Sequence, residues 1–379
     1  MFLKEVVIKY LKIDKNKMFN PNQIPSPTIR NPEPISLKEY ADQSSKDLRS
    51  KNLENINIDV FETWGFDTNT LWPEKMPPEI KPTETLENGK NPGLGIRQLH
   101  KEGITGKGVN VAIIDQILKI RHKEYSDSLV HYEEVDDLSE EPQTMHGPGV
   151  SSVFVGKECG VAPEAKLHYF AKLSGEDYAD KKYYTKAIKK VLEYNANLPE
   201  QEKIRVLSIS KGYMNKSPEL KTDEDIEWET ILKTAERSGI MVIWVSMNEY
   251  GDNFPSSGTG SNIFDKDDPD GYDEWLSIKH RGLKKSDQAK ENEILIPCDH
   301  RTYASPIGEG EYAHSGEGGA SWKVPYLAGI FALALQIDPE LKRAEILEKI
   351  KSTATKNKRG LKIINPRGLI DLIKKEKTS

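Results

Sequence analysis

Two cysteines, Cys159 and Cys298, are all that the 379-residue chain contains, so it has no disulfide framework. They read as two structural thiols of a protein in a reducing compartment. Uninterrupted apolar runs of bilayer length are missing too, which argues against a membrane partner. The opening MFLKEVVIKYLKIDKNK is broken by Lys4, Glu5, Lys9 and Lys12. A secretory signal needs an unbroken apolar core, and the expectation is a cytoplasmic protein. Nor is there a basic excess. Lysine and arginine number 54 against 60 aspartates and glutamates, a net charge of -6, which gives no reason to expect a nucleic-acid partner. What is present is ordinary: 36% hydrophobic and 30% charged residues, enough for one large domain plus an extension, or for two domains.

Residues 1 to 90 read differently from the rest. Pro21, Pro25, Pro27, Pro32 and Pro34 exclude regular helix or central strand there. A five-residue rhythm follows, Asp47-Leu48, Asn52-Leu53, Asn57-Ile58. It hints at one or two turns of a pentapeptide-type coil, but three matches are too few and chance or an ordinary amphipathic loop is the favoured reading. FDTNTLWPEKMPPEIKP, Phe66 to Pro82, reads as a proline-rich connector. The boundary is placed near Asn91-Pro92-Gly93, giving an accessory or pro-like extension (1–90) and a second domain (91–375).

Beyond the boundary, strand and helix patterns alternate. Val109 to Ile114 is apolar and rich in β-branched residues, as in a parallel strand covered on both faces. Helical spacing of Tyr184, Ala187, Ile188, Val191 and Leu192 predicts a helix over 178–194. Ile204 to Ser210 and Ile240 to Ser246 read as further strands. Between them, 223–238 reads as a helix stopped by Gly239. Residues 321–336 are small and apolar, as in a buried helix. The alternation predicts an α/β domain with a mostly parallel sheet, whose ligands bind beyond the carboxyl ends of the strands. Asp115 and Asn248 fall at two such ends.

Three residues could together activate a nucleophile. Asp115 ends the strand VNVAIID, His146 opens HGPGVSSVFVG, and Ser321 sits in GGASWKVP just before the apolar helix. A serine hydroxyl attacks only when a base takes its proton, and the base needs a third group to hold its tautomer. Each has a plainer reading: Ser321 as a helix cap, Asp115 as a solvated strand-end carboxylate, His146 as a cap or buried imidazole, Asn248 as a turn residue.

Taken in order, GITGKGVNVAIID, HGPGVSSVFVG, GVAPEAKLHYF, GGASWKVPYLAG and INPRGLIDLI resemble the subtilisin-like serine peptidases, the subtilase family. The resemblance covers about 91–370. It implies a three-layer fold, a mostly parallel central sheet flanked by helices, with the N-terminal extension added. It also implies a catalytic triad of Asp115, His146 and Ser321, with Asn248 in the oxyanion hole. Ser210-Lys211-Gly212 resembles the family's substrate-binding strand, which pairs with an extended peptide; Ser246 and Met247 are placed in the same binding region. The implied partner is a peptide or protein substrate, with no cofactor or catalytic metal required.

Several positions depart from the family pattern. Gln116 follows the aspartate where Thr or Ser is common. Pro148 and Gly149 replace part of the histidine motif, Ala320 replaces the threonine before the nucleophile, and Trp322-Lys323 replaces Met-Ala after it. Met247 stands where glycine usually precedes the oxyanion asparagine, which implies a narrowed pocket and restricted cleavage. These departures leave open a pseudoprotease that binds a peptide or partner without cutting it. The acidic stretch DKDDPDGYDEW, Asp265 to Trp275, fails the EF-hand pattern and reads as a solvated insertion; structural calcium has no clear motif. His280, His300 and His314 show no metal spacing and read as surface or loop residues, and the oligomeric state is not readable.

Overall fold

The structure, a computed structural model, describes residues 35–173, 181–213, 215–260, 263–272, 276–280, 282 and 293–378. The opening segment, the prolines at 21–34 and residues 273–275 of the acidic stretch lie outside the described residues. In chain order the elements begin with α1 (Ile58–Phe61), β1 (Gly65–Asp67), α2 (Pro82–Gly89), α3 (Ile96–Lys101), β2 (Asn110–Asp115) and β3 (Leu129–Glu134). They continue with α4 (His146–Val155), β4 (Lys166–Ala171), α5 (Lys181–Ala196), β5 (Ile204–Ile209), α6 (Asp223–Arg237), β6 (Met241–Trp244) and β7 (Ser256–Thr259). Then come α7 (Leu276–His280), β8 (Ile294–Pro297), β9 (Arg301–Ala304), β10 (Tyr312–Ser315), α8 (Ala320–Ile337), α9 (Arg343–Thr353), β11 (Thr355–Lys356), β12 (Lys362–Ile363) and α10 (Pro366–Lys377).

The central sheet has the order β3-β4-β2-β5-β6 and is parallel throughout. Every residue of β2 is buried, because helices cover both faces and an unbroken apolar run is then the stable sequence. α4 and α8 pack on each other, and α8 runs along β5 and β6; α5 and α6 pair into the second helical layer, against β2, β4 and β6. The expected three-layer α/β architecture is what forms. β7 and β8, also parallel, belong to a separate four-stranded sheet with β12 and β11.

Local chemistry sets the helix ends. Thr222 caps α6 by accepting from the Asp225 N–H, while the Asp225 carboxylate accepts from the Thr222 N–H at 2.9 Å, a reciprocal capping box. Gly239 follows in the left-handed region at φ 88°, where a side chain would strain the backbone. By length and composition alone α8 is long and apolar enough to cross a bilayer, although Lys323 and Gln336 interrupt its apolar run. Trp322 to Leu335 are buried, and the helix is the spine of the protein core.

The N-terminal extension is built on the five-residue rhythm. Asp42, Asp47, Asn52 and Asn57 each accept, through a side-chain oxygen, the N–H two residues on, at 2.9–3.1 Å. Backbone turns recur in step: Lys46 to Gln43, Lys51 to Leu48, Ile56 to Leu53. Gln43, Leu48 and Leu53 point inward and are at most 1% exposed. The periodicity is therefore structural, one Asx turn per rung, and it starts one rung earlier than the sequence pattern suggested.

The proline-rich connector is corrected at its start. Phe66 and Asp67 lie in β1, which pairs antiparallel with β10, Phe66 opposite His314. Leu53, Phe61, Trp64, Phe66, Ile80 and Leu86 form a second apolar core, with Tyr312 packed against it. The Trp64 carbonyl accepts the Gly316 N–H at 2.9 Å, and the Leu86 carbonyl accepts the Thr302 hydroxyl at 2.7 Å. Residues N-terminal to the boundary thus brace the β9–β10 hairpin that leads into α8.

Two further readings change in part. His280 is exposed and stacks on Tyr40 at 3.8 Å, and His300 lies in the bend before β9, though buried, as a surface or loop reading allows; His314, buried in β10, departs from it. The acidic stretch exposes Asp265, Asp267 and Asp268, as a solvated insertion would, but it is also docked, with Lys266 and Tyr272 buried. Lys266 within it is buried and donates to the His300 carbonyl at 2.7 Å. Asp267 accepts from the Gly95 N–H and Asp270 from the Lys358 N–H. The carboxylates serve as caps for neighbouring loops. Among the described residues no cluster of three or more His, Cys, Asp or Glu is placed to hold a metal ion. Both cysteines are buried free thiols.

Candidate active site

Asp115 is delivered by the last residue of β2 and is 2% exposed. Its Oδ1 accepts the Gln116 N–H at 2.8 Å and lies 2.6 Å from Nδ1 of His146, the first residue of α4. With a carboxylate at Nδ1, the proton belongs there and Nε2 carries the free lone pair. Gly147 makes the approach possible. A Cβ at that position would stand 2.8 Å from the Ile117 carbonyl and 2.9 Å from that of Gln116, so α4 could not begin so close to the strand end.

Ser321 is the second residue of α8, at a helix N-terminus that favours developing negative charge. The loop before it is pinned. The Gly318 N–H donates to Asp299 at 2.7 Å, and a Cβ on Gly318 would lie 2.0 Å from the Cys298 carbonyl. Burial pushes the Asp299 carboxyl up to about 7, against the lowering effect of its hydrogen bonds from Leu276 and Gly318. Ser210, just past β5, and Ser321 hold each other: the Ser210 hydroxyl donates to the Ser321 carbonyl at 2.9 Å, and the Ser321 hydroxyl to the Ser210 carbonyl at 3.5 Å. Among the described residues no hydrogen bond joins Ser321 to His146. The structure thus forms the Asp115–His146 pair and joins Ser210 to Ser321, and the ring of Trp322, next to Ser321 in the chain, lies 6.3 Å from the His146 ring and 4.8 Å from that of Tyr303.

Two departures from the family pattern explain each other. A Cβ at Gly149 would come within 2.5 Å of the Trp322 ring, so the tryptophan after Ser321 needs the missing side chain on α4. Gly212 plays a similar part. Its hypothetical Cβ would meet the Ser246 hydroxyl at 2.7 Å, and the Lys211 carbonyl accepts the Val245 N–H at 3.2 Å. Ser210, Lys211, Gly212 and Ser246 are thereby gathered beside one another. Met247 is buried and Asn248 exposed, both in the 3₁₀ turn Met247–Tyr250 after β6; no hydrogen bond ties Asn248 to Ser321 among the described residues.

Sequence reasoning overlooked Lys172. It follows β4, donates its N–H to the Asp115 carbonyl at 2.9 Å, and is visible in the sequence only as the charge ending an apolar strand. Burial alone would lower the His146 pKa; the Asp115 charge and hydrogen bond outweigh it, and the imidazole sits above its ordinary value although Lys172 and Lys211 oppose. The charged pair therefore adds stability that is fully present below about pH 6.5 and is lost as pH rises through the folded value. A base at this position works only in the opposite range, where it is neutral. Replacing Lys172 with methionine removes an opposing cation, lets the ring keep its proton to higher pH, and should move the acid limb of a kcat/KM profile upward. An unmoved or lowered limb would contradict the assignment.

A family model described as the subtilase family matches residues 106–365. The chain belongs to the subtilase family. One curated relative, the Aeromonas extracellular serine protease of Aeromonas sobria, is 32% identical over 88 residues. That match covers 20% of this subtilase and 14% of the relative, so the chain spans about a seventh of the protein it resembles. Among solved structures, the prenylagaramide maturation protease PagA is 17% identical with a TM-score of 0.51, over 74% of this chain and 98% of the other. A cold adapted subtilisin-like serine proteinase is 18% identical with a TM-score of 0.48, over 68% and 89%. At such identity the PagA likeness speaks for the subtilase fold, in agreement with the parallel sheet and its two helical layers.

Proposed function

We propose that this subtilase is a serine endopeptidase acting through an acyl-enzyme. The single observation that carries the reading is the 2.6 Å hydrogen bond between Asp115 and His146, formed between two segments that the family motifs single out. Ser321 attacks the peptide carbonyl while His146 Nε2 takes its proton, and the same nitrogen returns the proton to the leaving amine. Water then repeats the sequence, and the carboxylate product leaves. Asp115 holds the tautomer and stabilises the imidazolium. The Asn248 side chain and the Ser321 N–H receive the oxyanion. These roles follow the subtilisin template. The Ser321 hydroxyl must first leave the Ser210 carbonyl, and a 3.5 Å bond is long enough to be given up cheaply. An extended peptide would pair along Ser210 to Gly212, and Met247 behind Asn248 would narrow the pocket for the residue before the cut, which favours restricted cleavage. No cofactor enters the scheme.

The resting direction of the Ser321 hydroxyl favours a second reading, a pseudoprotease that binds peptide without cutting it. A fluorophosphonate probe separates the two. The peptidase should be labelled on Ser321 and lose labelling in Ser321→Ala and in His146→Ala. Wild-type protein that is folded, unlabelled and inert toward a peptide library would leave the binding reading in its place.

A further inference from the structure

Strand β9 meets helix α8 through two paired side chains. Arg301 and Tyr303 alternate with Thr302 and so share one face of the strand; Trp322 and Tyr326 are one turn apart and share one face of the helix. Tyr303 stacks on Trp322 at 4.8 Å, and the Arg301 guanidinium lies over the Tyr326 ring, 5.0 Å from its centre. Arg301 is 1% exposed. A ring face attracts a cation, but it leaves the N–H groups at the guanidinium edge to find acceptors elsewhere. Nε and Nη2 of Arg301 are buried without a hydrogen-bond partner, and so is the Tyr326 hydroxyl. Those two nitrogens make one edge of the guanidinium, with their N–H bonds parallel. Among the described residues no carboxylate pairs with Arg301. Asp299 accepts from the N–H groups of Leu276 and Gly318, and Asp267 from Gly95 and Asn91. The surroundings are cationic: burial, and then the Arg301 charge, hold the Lys266 ammonium well below its ordinary value.

We propose that the Nε–Nη2 edge of Arg301 binds a small monovalent anion, a halide or a carboxylate of formate size, in the joint between β9 and α8. An arginine keeps its charge at any working pH, and a buried charge is tolerated when it is paired and hydrogen-bonded. Two parallel N–H donors suit either one halide or the two oxygens of a carboxylate. Burial limits the size. The anion ties the strand to the helix that carries Ser321, and it touches none of the groups assigned to the reaction. The inference therefore does not depend on the peptidase reading.

The test uses the full chain, refolded from urea in sodium gluconate, whose anion is too large to be enclosed. Chloride or formate is then titrated in at constant ionic strength. The thermal midpoint should rise by a few degrees for each tenfold increase above the dissociation constant. Wild-type crystals grown in bromide or in formate should show the anion within hydrogen-bond reach of Nε and Nη2, bromide by its anomalous signal. A response to the halide alone assigns a halide site, and a response to formate alone, with planar density, a carboxylate site. Arg301→Met should abolish the dependence. If that variant does not fold, the wild-type titration and the density decide. A midpoint equal in all three salts overturns the proposal, as does a dependence that survives in Arg301→Met. A water or one of the chain's own side chains at the guanidinium edge, or an anion bound at crystal concentration only, overturns it too.

Discussion

His146→Ala should lower kcat on a peptide substrate by on the order of 10⁶, and Asp115→Asn by about 10⁴. The scale is that of triad removal in subtilisin and related enzymes. The ranking follows from the proposed roles. In the proposed mechanism His146 would move the proton at every step, whereas Asp115 would act through the ring, by one 2.6 Å bond and one charge. With asparagine the bond can persist while its amide presents a donor, which favours the wrong tautomer at Nδ1. KM should change little in either variant, because neither side chain lies in the strand proposed to pair with the peptide. Single-turnover kinetics with a chromogenic peptide would check the order. A His146→Ala protein within tenfold of wild type would remove the imidazole from the mechanism.

The second large effect concerns the extension. Deleting residues 1–90 should leave a chain that does not reach the native fold. The deletion strips β1 from β10 and removes the apolar core of Leu53, Phe61, Trp64, Phe66, Ile80 and Leu86. At about 1.5–3 kcal/mol for each buried side chain, the loss is roughly 10 kcal/mol or more, comparable with the whole stability of a typical domain. In the full-length chain, Trp64→Ala should cost about 3–5 kcal/mol, read as a lowered midpoint in urea. A truncated protein that melts and cleaves like wild type would show the extension to be a detachable appendage. The expected failure has a local cause: the Trp64 carbonyl holds Gly316, five residues before the serine.

What the sequence made legible were features with local signatures. VNVAIID ends at Asp115 because a strand covered on both faces must be apolar until it emerges. HGPGVSSVFVG could be read as a small-residue segment opening on a histidine, though not as the helix it forms, and GGASWKVP as the approach to a buried helix. The five-residue rhythm was also visible, but its meaning depended on Asx turns that only coordinates reveal. The rest was tertiary. Gly65–Asp67 is a three-residue strand whose existence depends on β10, more than 240 residues away, so its own composition reads as a connector. Gly149 and Trp322 look like two unrelated departures until one ring fills the space of one absent side chain. The hydroxyl direction of Ser321 is a rotamer, and no motif encodes it.

The coil at the start of the described chain also quantises its own length. Every rung closes its turn with its own carboxylate or amide, then returns Gln43, Leu48 or Leu53 to the interior. Residues can be gained or lost there in whole rungs. A step of any other size would swing the inward leucines toward water and shift the register in which Gly65 and Leu71 are met, so drift along this stretch proceeds in fives.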